Sequence, residues 1–140
     1  MKKAFILMVG MILVPSISFA EVVPAQVSVI NDSDFTLTVK VMTVAGKKYS
    51  QIIVPAQQTK TAYIYVSGTY YLKTKASAYN KDDLYSKGNF FKVVSSEEGY
   101  SMIKVTYKIS GGTYSSGKSI SKSEFDKDND ASRSSTIIPY

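Results

Sequence analysis

Between residues 27 and 109 apolar and polar side chains alternate with a period of two, and no 3.6-residue stripe competes with that pattern. A strand shows successive side chains to opposite faces, so such a chain folds into sheets that each bury one face. Gln26 to Ile30 reads as a first short strand, with Pro24 suited to its start. Phe35, Leu37, Val39 and Val41 then alternate with Thr36, Thr38 and Lys40. Asn31-Asp32-Ser33-Asp34 separates the two runs as a turn cluster, because short polar side chains bond the nearby backbone. Further strands are expected at 49–54, 60–66, 70–78, 89–95 and 100–109, divided by Ala45-Gly46-Lys47-Lys48, Pro55, Ser67-Gly68, Asn80-Lys81-Asp82-Asp83, Lys87-Gly88 and Glu97-Glu98-Gly99. Seven short strands with turns every 8–12 residues predict an all-β antiparallel sandwich or small barrel.

What the chain lacks narrows its chemistry. It contains no His, no Cys and no Trp. Zinc sites of the usual kind, disulfides, thiol nucleophiles and Ser-His-Asp relays are thereby excluded. The first residues, Met1-Lys2-Lys3, the eleven apolar positions Ala4–Val14, and the small residues Ser18 and Ala20 around Phe19 form a secretory leader cleaved after Ala20. That apolar run is well short of the ~20 residues of a spanning helix. The expected location is therefore periplasmic or extracellular. Without Lys2 and Lys3 the 17 basic residues fall to 15 against 11 acidic, a mature charge of +4.

From Ser110 the composition shifts. Residues 110–136 are rich in Ser, Gly and charge, with too little apolar surface to offset ordering entropy. The expected organisation is a leader at 1–20, a β-sandwich domain at 21–110 and a mostly flexible tail at 111–140, with a short helix near Ser121 to Phe125. The tail closes on Ile137-Ile138-Pro139-Tyr140, an apolar tip suited to strand addition on an open sheet edge.

Residues 60–76 carry a resemblance. In Ala62-x-Ile64-x-Val66-x-Gly68-Thr69-Tyr70-x-Leu72 a strand, a Gly turn and a second strand follow one another. This resembles the corner of immunoglobulin-like and fibronectin-type-III-like sandwiches, where a Tyr opening the second strand hydrogen-bonds backbone and an inward residue follows two later. The likeness covers roughly 27–78 and also rests on Val54-Pro55-Ala56 and on Asn31-Asp32-Ser33 leading into Phe35. It implies an immunoglobulin-like sandwich of bacterial secreted type, with Tyr70 and Leu72 in the corner positions. The corner would send 60–66 and 70–78 to different sheets, with Ala62, Ile64 and Val66 inward. A tight hairpin at Ser67-Gly68 is the competing arrangement.

Adjacent acids occur at Asp82-Asp83 and Glu97-Glu98, but consecutive residues on extended chain point apart and both pairs sit in turns. Asp126-Lys127-Asp128-Asn129-Asp130 opens like a calcium loop, yet Ala131 stands where the loop needs Gly and Ile137 where it needs Glu. No enzyme activity, metal or cofactor is therefore assigned. No glycine-rich phosphate loop is present, and secretion argues against nucleic acid.

Binding is the remaining role. With Leu72, Thr74 and Ala76 inward, Tyr71, Lys73 and Lys75 face out; with Ile103, Val105 and Tyr107 inward, Lys104 and Lys108 face out. If these strands share a sheet, Lys73, Lys75, Lys104 and Lys108 line one basic face beside Tyr71, fit for an anionic glycan or acidic protein. Outward Tyr63 and Tyr65 would add amphipathic contact surface. The function expected is a non-enzymatic binding or accessory module engaging an envelope protein or anionic glycan. An inhibitor or immunity-type protein that blocks a partner enzyme is the alternative.

Overall fold

The chain folds as the alternation requires, into strands that turn one face inward. The computed structural model describes residues 22–110, 112–114 and 117–128. In chain order the strands are β1 (Ala25–Asp32), β2 (Thr36–Thr43), β3 (Lys48–Val54), β4 (Thr59–Ile64), β5 (Gly68–Ser77), β6 (Leu84–Lys87), β7 (Phe91–Val93), β8 (Met102–Ser110), β9 (Thr113–Tyr114) and β10 (Lys118–Ser119). One short helix, α1 (Lys122–Asp126), follows them.

The strands form two sheets. One has the order β4-β1-β8-β9; the other is β10-β6-β5-β2-β3, with β7 paired to the start of β5. Their apolar faces meet in one core: Val27 and Val29 of β1, Leu37, Val39 and Val41 of β2, Val54, Ile64, Leu72 and Val93 are all essentially inaccessible. The fold is thus all-β and sandwich-like.

The structure departs from the expected seven antiparallel strands in two respects. β6, β9 and β10 are additional, being only two to four residues long and too short to show a period. β1 and β8 run parallel, pairing Val27 with Ile103, Val29 with Val105 and Asn31 with Tyr107. Parallel neighbours need a long crossover, and here β2 to β7, most of them in the second sheet, lie between the two in sequence.

The chain turns a corner after β4. β4 pairs with β1 and β5 with β2, so the two strands occupy different sheets. Tyr70 Oη donates to Val66 O at 2.6 Å. Its ring meets Tyr49 edge-on at 5.6 Å, and Tyr49 Oη accepts from Tyr65 N at 2.9 Å. Burial, then the nearby Tyr49, raises the Tyr70 hydroxyl above the ordinary tyrosine range. Ala62 and Ile64 point inward as expected, but Val66 is 59% exposed. Val66 lies past the last residue of β4 and contributes its carbonyl to the corner.

A second knot sits at the opposite end of β1. Asn31, 1% exposed, donates through Nδ2 to Phe35 O, Val54 O and Pro55 O and accepts through Oδ1 from Ser33 Oγ at 2.6 Å. The turn cluster thereby ties β1, β2 and β3 together.

The fold continues past Ser110. β9 extends the first sheet at Ile109 and Ser110, and β10 pairs with Ser86 and Lys87 of the second. Tyr114 Oη donates to Leu84 O at 2.7 Å, and its ring meets Tyr107 edge-on. Burial pushes the Tyr107 and Tyr114 hydroxyls up. The described part of the expected tail is therefore seated on the sheets. A few aromatic anchors, Tyr114 and Phe125, outweigh its polar average. The leader expected at 1–20 and the tip Ile137-Ile138-Pro139-Tyr140 lie outside the described residues.

Candidate functional site

The residues expected to share one basic face are divided between the two sheets. Lys104 and Lys108 lie on β8, Lys73, Lys75 and Tyr71 on β5, and these strands belong to different sheets whose outward faces look away from each other. No single face holds all four lysines, because alternation gives a side chain's face but not its strand's neighbours. Tyr63 and Tyr65 sit at the end of β4 and beyond it, 48% and 57% exposed, on the same sheet as Lys104.

On the outward face of the second sheet, register assembles a different set. Lys40 of β2 stands directly opposite Lys73 of β5, and Lys73 stands opposite Lys87 of β6. Lys75, opposite Thr38 and Tyr85, completes a cluster of four lysines across three neighbouring strands. Like charges placed directly opposite in a sheet repel, so this row needs compensation.

The compensation comes from the chain's own C-terminal segment. Ser121 caps α1, its hydroxyl accepting from Glu124 N at 3.0 Å. Glu124 lies in the first turn, where the helix dipole favours an acid, but the last turn holds no basic residue. The cations that its carbonyl end requires come from the sheet. Lys40 Nζ donates to Phe125 O at 2.9 Å and to Asp128 Oδ1 at 2.8 Å. Lys73 Nζ donates to Glu124 O and Lys127 O, both at 2.7 Å. Lys40 and Lys73 are buried, 6% and 3% exposed, with their ammonium groups supplied with oxygen.

Phe125 is the apolar anchor. It is 3% exposed, lies 5.4 Å from the Tyr85 ring and receives Lys40 Nζ over its face at 4.2 Å. Tyr71, expected to be open, is 8% exposed and meets Phe90 edge-on, with Lys87 Nζ 5.1 Å from its ring centroid. The rim contacts are looser: Lys87 to Glu124 at 3.7 Å and Lys48 to Asp128 at 3.9 Å. Lys48 N also donates to Asp128 O at 3.1 Å. Beside α1 opens a cleft of about 350 Å³, lined by Tyr71, Lys73, Lys87, Ser123, Glu124 and Lys127.

Lys40 and Lys87 were not among the expected site residues. Lys40 carries a visible signal, standing in the polar phase of a clear strand, but its pairing with Lys73 is a matter of register. Lys87 lies in a four-residue strand between two turn clusters.

The acid-rich run opening at Asp126 is engaged in ion pairs. Asp126 accepts from Lys122 Nζ at 2.8 Å, which holds its carboxyl below the usual range and raises Lys122. Asp128 is bonded to Lys40, the Lys127 carbonyl accepts from Lys73, and Asn129 and Asp130 lie outside the described residues. Asp82-Asp83 and Glu97-Glu98 are exposed on turns. Among the described residues no three His, Cys, Asp or Glu gather as a metal would require. The first sheet's outward face is simpler: Ser28 and Thr61 share a hydrogen bond at 3.2 Å, and Lys108 lies 3.9 Å from Asp32. Comparison with protein-family models, with curated proteins and with solved structures returned no match.

Proposed function

We propose that this chain is a secreted or periplasmic, non-enzymatic binding module of the immunoglobulin-like sandwich class that engages an anionic partner of the cell envelope. The observation that carries the reading is the row Lys40–Lys73–Lys87, flanked by Lys75, on one outward sheet face. Lys40 and Lys73 are covered by α1, whereas Lys75 and Lys87 stay half-exposed at the rim of the row and keep positive charge on that side of the molecule, which recruits negatively charged surfaces and orients them. The class assignment draws on the Tyr70-to-Val66 corner and on two sheets closing over one core. The absence of His and Cys and the leader-like first twenty residues favour a binding role outside the cytoplasm.

The test is binding to dextran sulfate as a generic polyanion, from 50 to 300 mM salt. Lys75→Glu combined with Lys87→Glu should weaken binding at least tenfold. Lys104→Glu combined with Lys108→Glu, on the other sheet, should change it less than twofold. Wild-type binding should fall steadily with salt, as screening requires. Salt-independent binding, or equal losses from the two pairs, would overturn the reading.

A further inference from the structure

We propose that the lysine row is a docking site for an acidic, aromatic-bearing peptide segment of a protein partner, and that residues 119–128 of this chain occupy it as a built-in stand-in. The inference rests on the anionic-partner reading and narrows it to one class of ligand. The chemistry comes from the occupant itself. Segment 119–128 presents peptide carbonyls, a carboxylate and one aromatic ring, and the sheet meets each with a matching group. Lys73 takes the Glu124 and Lys127 carbonyls, Lys40 takes the Phe125 carbonyl and Asp128, and Phe125 lies between Lys40 and Tyr85.

Three features mark this contact as one that can be exchanged. A helix of five residues does not hold its form in water, so α1 takes its shape from the surface it lies on. Phe125 is the one buried residue of α1, so the apolar contribution of the helix is a single side chain. The outer ion pairs, Lys87 to Glu124 and Lys48 to Asp128, are stretched to 3.7 and 3.9 Å. A segment with carboxylates better placed for these rim lysines would bind more strongly than the resident one. Lysines suit this exchange: when the segment leaves, their ammonium groups regain water, and no large apolar surface is bared.

The experiment uses the full chain and a fluorescent synthetic peptide of residues 119–128, read by anisotropy, with dextran sulfate as a parallel probe. Phe125→Ser with Asp128→Asn weakens the resident segment and leaves every lysine in place. This variant should bind the peptide at least tenfold more tightly than wild type, and adding Lys73→Gln should abolish the gain. Amide exchange over 122–127 should accelerate while that of β1 and β8 is unchanged. If the double variant fails to fold, Asp128→Asn alone should show the same direction with about a threefold gain. Equal peptide binding by wild type and either folded variant would overturn the inference. So would a gain confined to dextran sulfate, which would leave the anionic-partner reading standing. Failure of the wild type and the variant to bind either probe would overturn both.

Discussion

The two sheets present outward faces built on the same alternation, and they meet opposite fates. On the first, Lys104 and Lys108 stand in water, and the ion pair of Lys108 with Asp32 is long and exposed on both sides. On the second, Lys40 and Lys73 are buried, each holding two oxygens of segment 124–128. A lysine on an outward strand position is therefore neither exposed nor buried by virtue of its own sequence. What distinguishes the faces is coverage: α1 lies over one of them.

The largest expected effect comes from removing the covered cations. Lys40→Met with Lys73→Met should cost about 2–4 kcal/mol in urea denaturation, because carbonyls and a carboxylate lose charged donors. The loss has a ceiling, since the segment can lift away and return those oxygens to water. Lys104→Met with Lys108→Met should stay within about 0.5 kcal/mol, the range of ordinary surface changes. Equal costs for the two pairs would erase the contrast between the faces.

The corner that sends β4 and β5 to different sheets supplies the next effect. Tyr70→Phe removes the hydroxyl bonded to Val66 O and should cost about 1–1.5 kcal/mol. Tyr63→Phe, on the exposed first sheet, should cost less than about 0.5 kcal/mol by the same melts. A Tyr70→Phe variant as stable as wild type would show that the corner is held by packing against Tyr49 alone.

Smaller still, Lys108→Gln should change stability by less than about 0.5 kcal/mol, as is usual for exposed ion pairs. The smallest effect is a pH dependence confined to α1. Asp126 has a carboxyl held low by Lys122, so the pair's contribution is present above the ordinary aspartate range and is lost as pH falls through the lowered value. Acidification below about pH 4 should speed amide exchange at 122–127 while β1 and β8 keep their protection. Uniform loss of protection across both sheets would place the acid-sensitive element in the core instead.

Much of the fold was legible in particular residues. Leu37, Val39 and Val41, or Ile103, Val105 and Tyr107, name their faces without help, and Tyr70 after Gly68 marks the corner. A short helix was expected near Ser121 to Phe125, and α1 falls at Lys122–Asp126. The seating of residues 112–128 was obscured because Ser, Gly and charge dominate the average while Tyr114 and Phe125 make the contacts. β6 was obscured because Leu84-Tyr85-Ser86-Lys87 is too short for a period to show. The candidate site was legible in half: Tyr71, Lys73 and Lys75 were found on one strand, whereas their true neighbours Lys40 and Lys87 were not joined to them.

By itself the sequence determined that the chain forms strands, which side chains of each strand share a face, where the turns fall, and that metal and nucleophile chemistry based on His or Cys is closed to it. These are local properties, following from the two-residue period of extended backbone and from the chemistry of single side chains. The tertiary structure alone decided that β1 and β8 lie parallel, that β5 and β8 part to different sheets, and that Lys40, Lys73 and Lys87 stand in one row beneath α1. Those outcomes depend on register and on competition for burial among segments far apart in the chain, such as Lys40 and Asp128, and a period of two carries no record of either.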